Sequence, residues 1–125
     1  MNNNNVEKQY NSMSYFYNVL YSGCDMREYE DTFIDEYKDL LSSLPVNAKV
    51  LDSSCGNGIQ ATSLKRNGIN VIATDISKEM INLTQQYAKD NNLSFPTKRL
   101  SWEELPWYVW QGNEFFSQSN LYREI

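Results

Sequence analysis

The chain contains no histidine, and among its 125 residues there are two cysteines and three prolines. Without histidine there is no Ser-His or Cys-His relay. A metal site would rest on cysteine and carboxylates alone, and no ligand spacing supports one. Cys24 and Cys55 read as structural thiols of a reducing cytoplasm rather than a disulfide or a nucleophile. Positive charge is scarce: 11 Lys and Arg stand against 16 Asp and Glu, a net charge of −5. With no basic cluster, nucleic acid is a poor partner. No signal peptide and no long apolar run is present, so nothing marks a membrane span.

What the chain does have is a strand–turn–helix phrase, Val50-Leu51-Asp52-Ser53-Ser54-Cys55-Gly56-Asn57-Gly58. An apolar strand ends in an acid, and two glycines then allow a sharp turn and a close ligand approach. The helix that follows points its free N–H groups into the same space. A second strand, Asn70-Val71-Ile72-Ala73-Thr74-Asp75, again ends in an acid. Asp75 is where a carboxylate accepts hydrogen bonds from ribose hydroxyls. Gly56-x-Gly58-x-x-Ala61 also fits a relaxed dinucleotide fingerprint, a weak signal alone. Asp52 weighs against that alternative, because a carboxylate at the mouth of the loop repels a pyrophosphate. It suits a ligand bearing an ammonium and a sulfonium and no phosphate, which describes S-adenosylmethionine.

These residues resemble the first motif of the class I S-adenosylmethionine-dependent methyltransferases. Ala73-Thr74-Asp75-Ile76-Ser77 resembles their acidic loop after the second strand, and Arg99-Leu100-Ser101-Trp102-Glu103-Glu104-Leu105-Pro106 the segment edging the adenine. The wording is most similar to glycine and sarcosine N-methyltransferases, over roughly residues 10 to 113. The resemblance implies an α/β, Rossmann-like class I methyltransferase fold, with S-adenosylmethionine as cofactor and a small amine such as glycine or sarcosine as acceptor. It places Asp52 near the methionyl ammonium, counts Ser53 among the cofactor-binding residues, lets the backbone pass close at Gly56 and Gly58, and gives the ribose to Asp75. Ile76, Ser101 and Trp102 border the adenine, with a core anchor as the alternative for Trp102. Met80 either brushes the adenine or packs in the core. Tyr10 and Tyr17 match aromatic positions of a closing N-terminal segment, and Arg27 is a clamp on the methionyl carboxylate or a surface ion pair. Asn113, in a Gly-Asn turn, is the substrate contact. No catalytic acid or base is required.

The organisation expected is a disordered N-terminus over 1–9, a helical lid or cap over 10–45, the cofactor-binding half over 46–113, and a divergent tail over 114–125. Phe33, Tyr37, Leu40, Leu41 and Leu44 form one apolar stripe of a helix Glu28–Leu44 that Pro45 stops. Strands are expected at Lys49–Asp52, Asn70–Thr74, Thr97–Leu100 and Tyr108–Trp110, and helices at Gly58–Arg66 and Lys78–Asp90. Asn67-Gly68 and Asn91-Asn92 end the two helices, and Ser77 caps the second. The sheet order expected is three-two-one-four. The length has room for about four strands of such a unit, so the fold is expected to be incomplete, with a sheet edge open to self-association. Two other functions stay open: a catalytically inactive remnant that binds S-adenosylmethionine or dimerises, and a dinucleotide-binding Rossmann domain.

Overall fold

A computed structural model describes residues 5–9, 25–53, 55–104 and 115–117. Two near-continuous apolar runs build the centre. β1 (Lys49–Asp52) and β2 (Asn70–Asp75) are buried at every position after their first residue. That pattern belongs to parallel strands covered on both faces. β1 and β2 pair in parallel from Lys49↔Asn70 to Asp52↔Ala73. β3 (Thr97–Arg99) adds in parallel outside β2, with Asp75 opposite Arg99. β4 (Phe115–Ser117) adds in parallel on the other side of β1, with Lys49 opposite Phe115. The order is therefore β3-β2-β1-β4, as expected. It reverses beside β1, and in open parallel sheets the crevice for a ligand lies at that reversal, beyond the carboxyl ends of the strands.

The fourth strand corrects the sequence reading in position. Tyr108–Trp110 lies outside the described residues, and the strand that pairs with β1 is Phe115–Ser117, inside the stretch expected to be a divergent tail. Gln111-Gly112-Asn113 consequently precedes β4 in the chain and is not a turn that closes it. A second correction is at the N-terminus, where residues 5–9, within the stretch expected to be disordered, are helical and belong to α1.

The expected helix over 28–44 is two helices. α2 (Met26–Glu36) and α3 (Lys38–Ser42) meet at Tyr37, which has φ −103° and ψ 10°. The bend keeps the Tyr37 ring in the core, 5.1 Å from the Phe33 ring between centroids. Leu40, Leu41 and Leu44 then pack on the same cluster, which includes Val50, Val71, Ala73, Ala61, Leu64 and Ile81. α2 starts at Met26, two residues early, because Asp25 caps it by accepting from the Arg27 N–H.

α4 (Ile59–Arg66) and α5 (Lys78–Asp90) carry the chain from β1 to β2 and from β2 to β3. Both end as their sequences indicate. Gly68 takes φ +80°, its N–H reaches Lys65 O, and the Ile69 N–H reaches Leu64 O. Asn92 does the same for α5, with φ +58° and bonds from Asn92 to Lys89 and from Leu93 to Ala88. These are Schellman closures, with Ile69 and Leu64 supplying the hydrophobic contact in the first. Ser77 caps the start of α5 by accepting from the Met80 N–H.

A polar cluster that the periodicity did not disclose fastens α2 to α4 and α5. Glu30 is almost fully buried. It accepts from Arg66 Nε at 3.0 Å and Nη2 at 3.3 Å, and from the Tyr87 hydroxyl. Arg66 also donates to Asn91 Oδ1 at 2.8 Å. Burial and the neighbouring Glu30 carboxylate push the Tyr87 phenol well above its ordinary range, so it stays a donor.

Candidate nucleoside site

Three loops meet beyond the carboxyl ends of β1, β2 and β3. The first is the turn after Asp52. Gly56 and Gly58 have φ of +53° and +88°, values at which a side chain is strained. The two glycines do different work. A Cβ on Gly58 would lie 2.8 Å from Thr84 Cα, so Gly58 is what lets α5 close on the turn. A Cβ on Gly56 would meet none of the described residues within 4 Å, so the space beside it is open among them. Thr84 secures the contact from the α5 side by donating its hydroxyl to Gly56 O at 2.9 Å. The Cys55 N–H bonds Thr74 O at 3.1 Å and ties the turn to β2.

Asp75 joins the first loop to the second. Its Oδ2 accepts from the Gly56 N–H at 3.1 Å, and its Oδ1 from the Ser77 N–H at 2.9 Å. A carboxylate has about four lone-pair sites, and the N–H groups of Ser77, Gly56 and Ile76 take three of them, which leaves an acceptor direction for a hydroxyl. Asp75 is 6% exposed. Burial raises it above the usual aspartate range, and the N–H groups of Ser77, Gly56 and Ile76 offset part of that rise. Asp52, at the end of β1, is 1% exposed. Cys55 is buried and reduced, and burial together with the Asp52 charge pushes its thiol far up. It is therefore no nucleophile, in agreement with a structural thiol. Cys24 lies outside the described residues.

The third loop follows β3. Ser101 is buried and makes a reciprocal cap with Glu104: the Ser101 N–H donates to Glu104 Oε1 at 3.1 Å, and the Glu104 N–H to Ser101 Oγ at 3.3 Å. Trp102 is 70% exposed, which removes the core-anchor alternative. Its indole N–H reaches Ser53 O at 3.4 Å, so the ring stands beside the first loop. Ile76 is half-buried, and its carbonyl accepts from Arg99 Nε at 3.0 Å.

The structure thus brings Asp52, Ser53, Gly56, Gly58, Asp75, Ile76, Ser101 and Trp102 to one rim. It does not bring all the expected residues there. Met80 is 1% exposed and sits in the core under the start of α5. Arg27 lies in the first turn of α2, directly after the Met26 that opens it. Tyr10, Tyr17 and Asn113 lie outside the described residues. Sequence reasoning passed over Asn57, whose buried Nδ2 has no acceptor among the described residues. Its place between two left-handed glycines was the available signal. Thr84 was also missed as a loop support. Its only mark was a small polar residue on the inward face of α5.

The donor set fits a nucleoside with a charged amino-acid tail better than a phosphate ligand. Two carboxylates, Asp52 and Asp75, are buried there, Asp75 accepts from N–H groups, and Asn57 Nδ2 has no acceptor among the described residues. No lysine or arginine lies in the turn from Ser53 to Gly58. Among the described residues no group of His, Cys, Asp and Glu is placed to hold a metal. No helix among them is long and apolar enough to cross a membrane.

Comparison with known proteins agrees with this geometry. Residues 50–115 match the family model described as a methyltransferase domain. The chain belongs to that family, and its partial parallel sheet is the Rossmann-like class I methyltransferase fold. S-adenosylmethionine is the cofactor that this membership implies. A ubiquinone biosynthesis O-methyltransferase of Pelagibacter ubique (strain HTCC1062) is 33% identical over 81 residues, which cover 64% of this chain and 34% of that protein. The PH0226 protein of Pyrococcus horikoshii OT3 is similar in structure, with a TM-score of 0.50 and 30% identity over 66% of this chain and 40% of its own. An S-adenosylmethionine-dependent methyltransferase of Clostridium acetobutylicum ATCC 824 also has a TM-score of 0.50, with 26% identity over 74% of this chain and 37% of its own. The chain spans about a third of the length of the curated relative it matches.

Proposed function

We propose that this chain is the donor-binding part of an S-adenosylmethionine-dependent methyltransferase acting on a small molecule. The observation that carries the reading is Asp75. Its carboxylate is buried at the rim, held by N–H groups from two loops, and keeps an acceptor direction for a ribose hydroxyl. When bound, S-adenosylmethionine supplies a methyl group already activated by the sulfonium charge. The chain's residues then need only bind, align and exclude water. Asp52 and the turn from Ser53 to Gly58 hold the amino-acid tail, Asn57 donates to its carboxylate or to a ribose oxygen, and Ile76, Ser101 and Trp102 flank the base. No proton relay is required, consistent with the missing histidine.

For the acceptor, resemblance in the phrases Asp52-Ser53-Ser54-Cys55-Gly56 and Ser101-Trp102 favours a small amine, glycine or sarcosine, with Asn113 as its contact. The Pelagibacter relative, an O-methyltransferase by name, favours an oxygen nucleophile instead. The acidic balance of the chain supports either of these over a nucleic acid. The buried free thiol of Cys55 supports a cytoplasmic setting.

The test is calorimetric titration with S-adenosylmethionine, S-adenosylhomocysteine and NAD. Binding of the first two in preference to NAD is expected. Preference for NAD would return the chain to the dinucleotide reading. Transfer of labelled methyl to glycine, sarcosine and a catechol, with mass from light scattering, then separates the amine and oxygen acceptors. Donor binding without transfer to any of them is the result expected of an inactive or self-associating remnant.

A further inference from the structure

We propose that Arg99 is a positioning residue, a clasp that couples the N-terminal helix to the nucleoside rim. The proposal rests on the donor-binding reading above. Arg99 ends β3, directly opposite Asp75 in the ladder. Its guanidinium engages three separate segments with three different nitrogens. Nη2 meets Glu7 Oε2 of α1 at 2.7 Å. Nε donates to the Ile76 carbonyl at 3.0 Å, in the loop after β2. Nη1 lies 3.7 Å from Glu104 Oε1 in the loop after β3. Glu104 in turn accepts from the Ser101 N–H.

Each of those segments matters to the rim. Ile76 follows Asp75, and the next N–H after Arg99, that of Leu100, holds Asp75 O at 3.0 Å. Ser101 and Trp102 lie within the turn that Glu104 caps. A single planar fork therefore sets the Ile76 carbonyl, orients the third loop, and ties both to a residue 92 positions earlier in the chain. The three N–H donors of a lysine share one nitrogen and cannot span acceptors that three separate guanidinium nitrogens reach. The ion pairs are half-exposed, with 37% of the Arg99 and 25% of the Glu7 side chain accessible, so solvent and salt screen them. Such contacts hold α1 reversibly rather than fusing it to the core. A ligand that steadies Asp75 and Ile76 also steadies the clasp, and by reciprocity a closed clasp favours the ligand.

The experiment is hydrogen exchange at the amides of residues 5–9, with and without S-adenosylhomocysteine, beside calorimetric titration of that ligand. Wild type is compared with Arg99→Gln, Arg99→Lys and Glu7→Gln. Wild type should show slower exchange at 5–9 when ligand is bound. Arg99→Gln and Glu7→Gln should exchange faster there, lose the ligand-dependent protection, and bind about fivefold more weakly. Arg99→Lys should not restore the protection, and high salt should weaken wild-type protection. A merely structural Arg99 would alter thermal stability without altering ligand-dependent protection. Unchanged exchange in both Arg99→Gln and Glu7→Gln would remove the clasp, and faster exchange with unaltered affinity would remove its positioning role. Failure of wild type itself to bind S-adenosylhomocysteine would overturn the donor-binding reading, and with it the coupling, whatever the exchange rates.

Discussion

At the scale of single residues the rim is decided by hydrogen-bond geometry and backbone conformation. Asp75 is raised above the ordinary aspartate value because it is buried. On acidification it gains its proton at a higher pH than an exposed aspartate and then stops acting as a two-oxygen acceptor. S-adenosylhomocysteine affinity should therefore fall as pH drops toward that raised value, and Asp75→Asn should bind weakly at every pH, by about 1.5–3 kcal/mol. Titration across pH checks both. For folding the sign is different. The native state holds this proton more tightly than the unfolded chain, so the contribution of Asp75 to stability is full below the unfolded value and is lost as pH rises through the native one. The two glycines should separate in the same way. Gly58→Ala meets Thr84 Cα at 2.8 Å, which should destabilise the fold by about 1–3 kcal/mol from overpacking and about 1–2 kcal/mol from left-handed backbone. Gly56→Ala carries only the backbone strain, because the space beside it is open. Its methyl group should instead lower ligand affinity. Urea unfolding and titration on the two variants distinguish fold from site.

At the scale of elements the helices were read well where their signals are local. Ser77 at the start of α5, and Gly68 and Asn92 just past the ends of α4 and α5, stand where the sequence placed them. The break between α2 and α3 was not legible, because the apolar stripe runs unbroken through Tyr37 and only packing against Phe33 bends the chain there. Glu30 was equally hidden. A carboxylate on a helix reads as solvent-facing until Arg66, Tyr87 and Asn91 arrive from two other helices. Glu30→Ala leaves Arg66 Nε and the Tyr87 hydroxyl without their acceptor and should destabilise the protein by about 3–5 kcal/mol. Tyr87→Phe, which removes one bond to a charged acceptor, should lower stability by about 1.5–3 kcal/mol. Chemical denaturation measures both, and neither change should alter the preference for S-adenosylhomocysteine over NAD.

At the scale of the whole molecule, a ligand that binds only the folded chain must stabilise it. Free S-adenosylhomocysteine at about 100 times its dissociation constant should add about 2.7 kcal/mol, a rise of several degrees in melting temperature. NAD at the same concentration should leave the transition where it is. Trp102 gives an independent reading of the same event. An indole that is 70% exposed should lose solvent quenching when a base packs on it, and the fluorescence change should vanish in Trp102→Phe. Melting curves and emission spectra with each ligand test this directly.

What the sequence determined by itself lies in short stretches of chain. The glycine turn after Asp52, the acid ending β2 and the caps of α5 follow from local backbone chemistry, and the order β3-β2-β1-β4 was expected from the doubly wound fold that these motifs resemble. Tertiary structure alone decided what those residues touch. Periodicity shows which face of an element is apolar, not which distant polar group meets it. Thus Asp75 was legible as a rim acid but not as the bridge between Gly56 and Ser77, and Met80 went to the core once α5 was packed. The fourth strand was misplaced for the same reason. Phe115–Ser117 is too short to announce itself, and it becomes a strand because β1 offers an unpaired edge with matching register. Glu7 and Arg99 stand far apart in sequence, and a pairing over that distance leaves no mark on either until the chain has folded.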